Sequence, residues 1–209
     1  RSVTKANFHD RFFDEKTGVY ADCRDRDGVL KEYFSEHTNM GAILWDLCPE
    51  ELTDSIVDKL YVTKGVDYWE AIPFAAKIVC EGLEHCGRMD VAMDVIRERW
   101  GKRMADKGMT STPEEWNASG SWRGENETYY GIYRSLSHAW SATPAEFLIK
   151  HLIGLKILEP GCRKVSLSPY QGDFDYNVSY PTPAGNISVK YVNGEMSVDF
   201  PDKIQCDIR

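Results

Sequence analysis

At 209 residues the chain is long enough to bury a substantial core, as one large domain or two small ones. Its formal net charge of −8 lacks the basic footprint that nucleic-acid binding requires. No apolar run approaches the roughly 18–20 residues needed to span a bilayer.

The opening places Phe8, Phe12 and Phe13 at helical spacing, and Asp14-Glu-Lys-Thr-Gly18 then breaks the pattern. Because the chain starts at Arg1, this reads as the tail of a helix whose beginning lies upstream, in a longer polypeptide. Any targeting segment would lie upstream too, which leaves a cytoplasmic or an extracytoplasmic location open. Arg24-Asp-Arg-Asp-Gly28 is a polar turn. Residues 31–47 put Phe34, His37, Gly41, Leu44 and Trp45 on one helical face, with His37 read as a hydrogen-bonded core histidine or as the floor of a pocket. Pro49-Glu-Glu51 opens a short helix with acids in its first turn and a stripe of Leu52, Ile56, Val57 and Leu60.

Residues 68–86 are apolar on several faces and predict a helix buried on more than one side, with Pro73 in its first turn and Trp69 just before it, read as packing into the core or as facing a pocket. Residues 89–107 carry Met89, Ala92, Met93, Ile96, Trp100 and Met104 at intervals of three and four, which predicts one long helix stopped by Gly108. The charges between them, Arg99 included, predict a solvated face. Thr143-Pro-Ala-Glu146 has the form of a capping box with proline at the first helical position. Phe147, Leu148, Leu152 and Leu155 continue that helix, with His151 structural. After Glu159-Pro-Gly161 the period changes from helix to strand, and Asn193-Gly194 between two alternating runs is a strong hairpin signal. The chain is therefore predicted to be mainly α with an antiparallel β tail, divided near residues 156–162.

Six cysteines are scattered without zinc spacing and read as buried free thiols. No ligand cluster implies a metal, and nothing implies a cofactor. Asn117, Asn126, Asn177 and Asn186 open Asn-x-Ser/Thr triplets, a weak signal.

Between the helix ending at Gly108 and the one starting at Thr143 lies a connection far longer than the 12–15 residues beyond which loops are usually functional or disordered. Its wealth of aromatics (Trp116, Trp122, Tyr129, Tyr130, Tyr133 and Trp140) argues against disorder. It also holds Glu114, Glu115 and His138. Acids, a histidine and aromatic plates on one ordered loop suit a polar, ring-shaped ligand.

Gly108-Met-Thr-Ser-Thr-Pro-Glu-Glu-Trp116, followed by Ser137-His-Ala-Trp-Ser-Ala-Thr-Pro144, resembles the inverting α-L-rhamnosidases (glycoside hydrolase family 78-like). The resemblance extends from Phe12-Phe-Asp-Glu-Lys-Thr-Gly-Val-Tyr-Ala-Asp22 to the last strands, and Ser111 replaces the family's usual second threonine. It implies that Glu114 is the general base, because Glu-x-Trp fits Glu114-Glu115-Trp116, and that His138 binds substrate. It implies an (α/α)6 barrel, with residues 1–157 as the second half of that catalytic domain and residues 158–209 as a C-terminal antiparallel β-sandwich. Trp116 and Trp140 would face the apolar side of a pyranose or buttress the loop.

Inversion needs a second carboxyl group about 6.5–9.5 Å from the base, on the other face of the sugar. Adjacent Glu114 and Glu115 cannot flank one ring, so the resemblance implies a general acid in an earlier segment. The 209 residues alone are then expected to be inactive. The expected partners are a rhamnose-containing carbohydrate and the N-terminal half of the same enzyme. Two alternatives stay open: a non-catalytic carbohydrate-binding module, and another α/α-toroid glycosidase of different sugar specificity.

Overall fold

The computed structural model describes residues 2–116, 135–172 and 174–209. Trp122, Tyr129, Tyr130, Tyr133 and the Asn117 and Asn126 triplets therefore lie outside the described residues. The chain folds as two compact units, Arg1–Thr143 and Pro144–Arg209.

In the first unit, α1 (Ser2–Phe12) runs into a small hairpin of β1 (Phe13–Asp14) and β2 (Val19–Tyr20). Asp14 organises the turn, accepting from the Thr17 hydroxyl at 2.7 Å. Next comes α2 (Glu36–Leu44), capped by Ser35, whose Oγ accepts from the Thr38 amide. It is followed by α3 (Glu50–Val57) with a π-helical turn at Asp58–Val62, and by α4 (Ala76–His85). Last is α5 (Met89–Ile96), which widens into a π-helical turn at Arg97–Lys102.

Helices α2 and α4 run in the same direction. A parallel bridge joins Ser35 to Trp69 ahead of both, and Asp46 Oδ1 meets His85 Nε2 at 3.0 Å beyond their far ends. Between those ends Gly82 lies directly on Met40, where a side chain would collide with the Met40 backbone. Met40, Ile56, Leu60, Val79, Leu83 and Ala92 fill the core of this unit.

Several predicted features differ from the structure. The helix expected over 31–47 is only α2, and its buried face carries Glu36, Asn39, Met40 and Ile43, while His37 and Trp45 are exposed. Hydrophobic periodicity misses this because two of the inward residues are polar and satisfied inside. Asn39 mimics a strand partner: its Oδ1 accepts from Tyr20 N at 2.8 Å and its Nδ2 donates to Tyr20 O at 2.9 Å. The helix expected from residue 68 starts at Ala76, leaving Pro73 in the turn before it. The preceding backbone bonds to the entry of α2 instead, through Trp69 N to Phe34 O at 2.8 Å and Glu36 N to Trp69 O at 3.2 Å. Trp69 is 71% exposed, not core.

The helix expected over 89–107 breaks up into α5, the π-helical turn and a 3₁₀ turn at Ala105–Lys107, before Gly108 in the left-handed region (φ 71°). Arg99 does not belong to a solvated face; it is 3% exposed, and Glu36 holds it in the core.

The second unit takes in nearly all of α6 (Thr143–Leu152). Packing thus divides the chain earlier than the change of period near 157 does, because α6 belongs with the strands. Tyr170 N donates to Leu152 O at 2.8 Å, and the Tyr176 hydroxyl donates to the same carbonyl at 3.1 Å. The capping-box bond is not made: Thr143 Oγ1 is buried without a hydrogen-bond partner among the described residues.

Two three-stranded sheets follow. One has the order β3 (Lys156–Ile157), β4 (Lys164–Leu167), β8 (Gln205–Ile208). The other is an antiparallel meander of β5 (Tyr176–Thr182), β6 (Gly185–Val192) and β7 (Glu195–Asp199). Asn193 and Gly194, both at positive φ (50° and 79°), make the predicted β6–β7 turn. The expectation of antiparallel pairing throughout fails at β4–β8, which is parallel. The whole meander intervenes between these two strands and supplies the long crossover that a parallel pair needs.

Candidate functional site

The segments on either side of residues 117–134 run against each other and are joined by hydrogen bonds. Ser111 Oγ donates to Leu136 O at 2.6 Å. His138 N donates to Thr112 O at 2.7 Å, and Thr112 Oγ1 donates to His138 O at 2.8 Å. Glu114 N donates to Ser135 O at 3.0 Å, and Ser135 N donates to Glu114 Oε2 at 2.8 Å. Two motifs more than twenty residues apart in sequence thus become one paired element. Glu114 is half-buried on one side of it and its carboxylate is fixed by a backbone amide; His138 is half-buried on the other.

The two tryptophans take different places. Trp116 is half-buried, donates from Nε1 to Ala71 O at 3.0 Å, and meets the Trp100 ring edge-on at 4.9 Å. Trp100 in turn donates from its indole to Ser141 O at 2.8 Å, so it ties both arms of the loop to the end of α5. Trp140 is 71% exposed, packs against Phe74 at 5.3 Å, and has the His138 ring edge-on at 5.9 Å. Of the expected site residues, Glu114 and His138 therefore lie on the two arms of the paired element and Trp140 lies beside the His138 ring, while Trp116 turns inward to hold the element. Glu115 is half-buried.

Sequence reasoning missed the group beneath. Glu36, fully buried at the start of α2, receives Arg99 Nη1 at 2.6 Å, Arg99 Nη2 at 2.9 Å, the Tyr61 hydroxyl at 3.0 Å and Ala71 N at 2.5 Å. Burial works against the charge on Arg99, but the Glu36 hydrogen bonds outweigh it and hold the guanidinium protonated. Burial, with the Glu36 charge second, pushes the Tyr68 phenol up to about 12. Arg103 donates to both oxygens of Glu70 at 2.6 and 3.0 Å, and holds that carboxyl below its usual range. A sequence signal existed: Glu36 lies four and seven residues before the buried Met40 and Ile43, and Arg99 three after the buried Ile96.

Among the described residues no group of three or more His, Cys, Asp or Glu is arranged to hold a metal ion. None of their helices is long and apolar enough to cross a membrane.

No protein-family model matches the sequence, and no curated protein matches it. Solved structures do. A GH78 family rhamnosidase of Bacillus sp. GL1 matches over 100% of this chain at a TM-score of 0.73 and 24% identity. The chain has the fold of a segment of α-L-rhamnosidases. The α-L-rhamnosidase from Dictyoglumus thermophilum matches over 98% of the chain (TM-score 0.65, 19% identity), and that from Aspergillus terreus over 99% (0.63, 17%). The match takes in 22%, 22% and 24% of those three rhamnosidases, so this chain spans less than a quarter of their length.

Proposed function

We propose that the chain is part of a glycoside hydrolase that removes terminal α-L-rhamnose from glycosides or polysaccharides with inversion, and that it supplies the general base, Glu114. The observation that carries this reading is the pairing of residues 111–116 with 135–138. It brings Glu114 and His138 onto one element in a chain whose fold matches rhamnosidases from end to end.

Glu114 takes a proton from the water that attacks the anomeric carbon, and the Ser135 amide at Oε2 fixes the carboxylate's direction. His138 hydrogen-bonds a sugar hydroxyl, since a neutral imidazole can donate from one nitrogen and accept at the other. Trp140 offers its exposed face to the C–H side of a pyranose. The general acid comes from a part of the enzyme outside these residues, as does the rest of an (α/α)6 barrel to which residues 1–157 contribute the second half. The shared direction of α2 and α4, with α3 between them in sequence, suits such a barrel. Residues 158–209 form its β-sandwich domain.

The test is made in the enzyme that contains this chain. Glu114→Gln keeps size and hydrogen bonding but removes basicity, so kcat should fall by about 10²–10⁴-fold while substrate affinity changes far less. Glu115→Gln should cost little, azide should partly rescue Glu114→Gln, and NMR of the first-formed sugar should show an inverted anomeric centre. A crippled Glu115→Gln beside an active Glu114→Gln would shift the assignment by one residue; two active variants would remove it. The exposed Trp140 on Phe74 also suits a second reading, a carbohydrate-binding module without catalysis. Rhamnose binding in calorimetry, with no hydrolysis by the whole protein, would select that reading.

A further inference from the structure

The buried Glu36–Arg99 pair ends at the candidate site. Arg99 clamps both oxygens of Glu36, at 2.6 and 2.9 Å. Glu36 Oε1 also accepts from Ala71 N at 2.5 Å. The carbonyl of the same residue, Ala71 O, accepts from Trp116 Nε1 at 3.0 Å, and Trp116 lies two residues after Glu114. Neighbouring bonds hold this strip of backbone, from Trp69 N to Phe34 O and from Glu36 N to Trp69 O.

A helix of this unit could be packed on apolar residues alone. A buried ion pair is weak evidence of a contribution to stability, because desolvating two charges offsets much of their attraction. What such a pair does supply is direction. Its two-pronged, charge-assisted bonds fix the Glu36 carboxylate, whose Oε1 in turn holds the Ala71 N–H and with it the backbone at Ala71. The Ala71 carbonyl, on the other side of the same Cα, and the edge of Trp100 both hold Trp116 on the inward side of the Glu114 segment.

We infer that Glu36, clamped by Arg99, is a positioning residue that sets the place of Glu114 through the backbone at Ala71 and the Trp116 indole. This rests on the proposed role of Glu114 as base. Displacing a reacting group by about 1 Å can cost 10²-fold in rate. Glu36→Gln keeps the side-chain shape but loosens the clamp, so kcat should fall by about 10–10²-fold with KM nearly unchanged.

Two measurements test the relay. In the 209-residue chain, the Trp116 indole N–H resonance, assigned by its loss in Trp116→Phe, should move in Glu36→Gln and exchange faster with solvent. In the whole enzyme, Glu36→Gln and Trp116→Phe should each lower kcat, and the double variant should lose little more than the worse single one, since residues acting as a unit are non-additive. An unmoved indole resonance overturns the relay, as does a rise in KM at constant kcat, or strictly additive losses. If Glu36→Gln does not fold, Trp116→Phe alone decides: it cuts the last link and leaves the ion pair whole, and an unchanged kcat overturns the relay. Absence of rhamnoside hydrolysis by the unsubstituted enzyme counts against the proposed activity; the indole resonance then judges the relay by itself.

Discussion

Gly82→Ala sets two effects of known size against each other. Replacing a glycine inside a helix by alanine gains about 1 kcal/mol in helix propensity. At Gly82 the new Cβ would lie 2.5 Å from Met40 O, 2.9 Å from Met40 Cβ and 3.0 Å from Met40 C, where ordinary contact starts at 3.4 Å. Backbone atoms of α2 cannot swing aside, so α2 and α4 must separate by several tenths of an ångström. Overpacking of this kind costs about 1–3 kcal/mol, and the upper part of that range applies when the obstacle is main chain. The net expectation is a loss of about 1–2 kcal/mol, or a fall in Tm of roughly 2–8 °C for a chain of this size.

All six tryptophans (45, 69, 100, 116, 122 and 140) lie in residues 1–143, so urea unfolding followed by tryptophan fluorescence reports this unit alone. Gly101→Ala is the control: its Cβ would meet nothing within 4 Å, so it should be neutral or gain up to about 1 kcal/mol. A Gly82→Ala protein as stable as the unsubstituted one, or a Gly101→Ala protein that loses as much, would refute the close contact of α2 and α4.

Other outcomes follow from the charges and thiols. Glu70 has its folded pKa lowered by Arg103, so its stabilising contribution is present above its ordinary value near 4.5 and is lost as pH falls through the folded value. Urea midpoints should therefore drop more steeply below about pH 4.5 in the unsubstituted protein than in Glu70→Gln, and equal acid sensitivity would discount the Glu70–Arg103 pair. All six cysteines are free; Cys23 is exposed, whereas burial pushes the Cys48 thiol up to about 11 and the Cys80 thiol to about 12. A chromogenic disulfide at pH 8 should label Cys23 at once, and Cys48 and Cys80 only as fast as the protein unfolds. Labelling of native Cys80 at the rate of Cys23 would contradict its burial.

By itself the sequence determined the change from a helical part to the strands near the C-terminus, the stop at Gly108, the Asn193-Gly194 turn, and the loop that carries Glu114 and His138. Each is a local property: period, a φ > 0 requirement, or a motif. The small β1–β2 hairpin ahead of α2 it did not show. Buried thiols were expected at all six cysteines; Cys48, Cys80 and Cys162 are buried, Cys86 and Cys206 half-buried and Cys23 exposed, because exposure depends on what packs over a residue. Tertiary structure decided that Glu36 and Arg99 are inside, since a charge is tolerated there only when its partner, 63 residues away, arrives with the right geometry. It turned His37, Trp45 and Trp69 outward and gave the inner face of α2 to Asn39, whose amide pairs with the Tyr20 backbone. It placed α6 with the strands and closed β4 against β8. It also joined residues 111–116 to 135–138. Both motifs are legible in the sequence, but only hydrogen bonds between the two segments put Glu114 and His138 on one paired element.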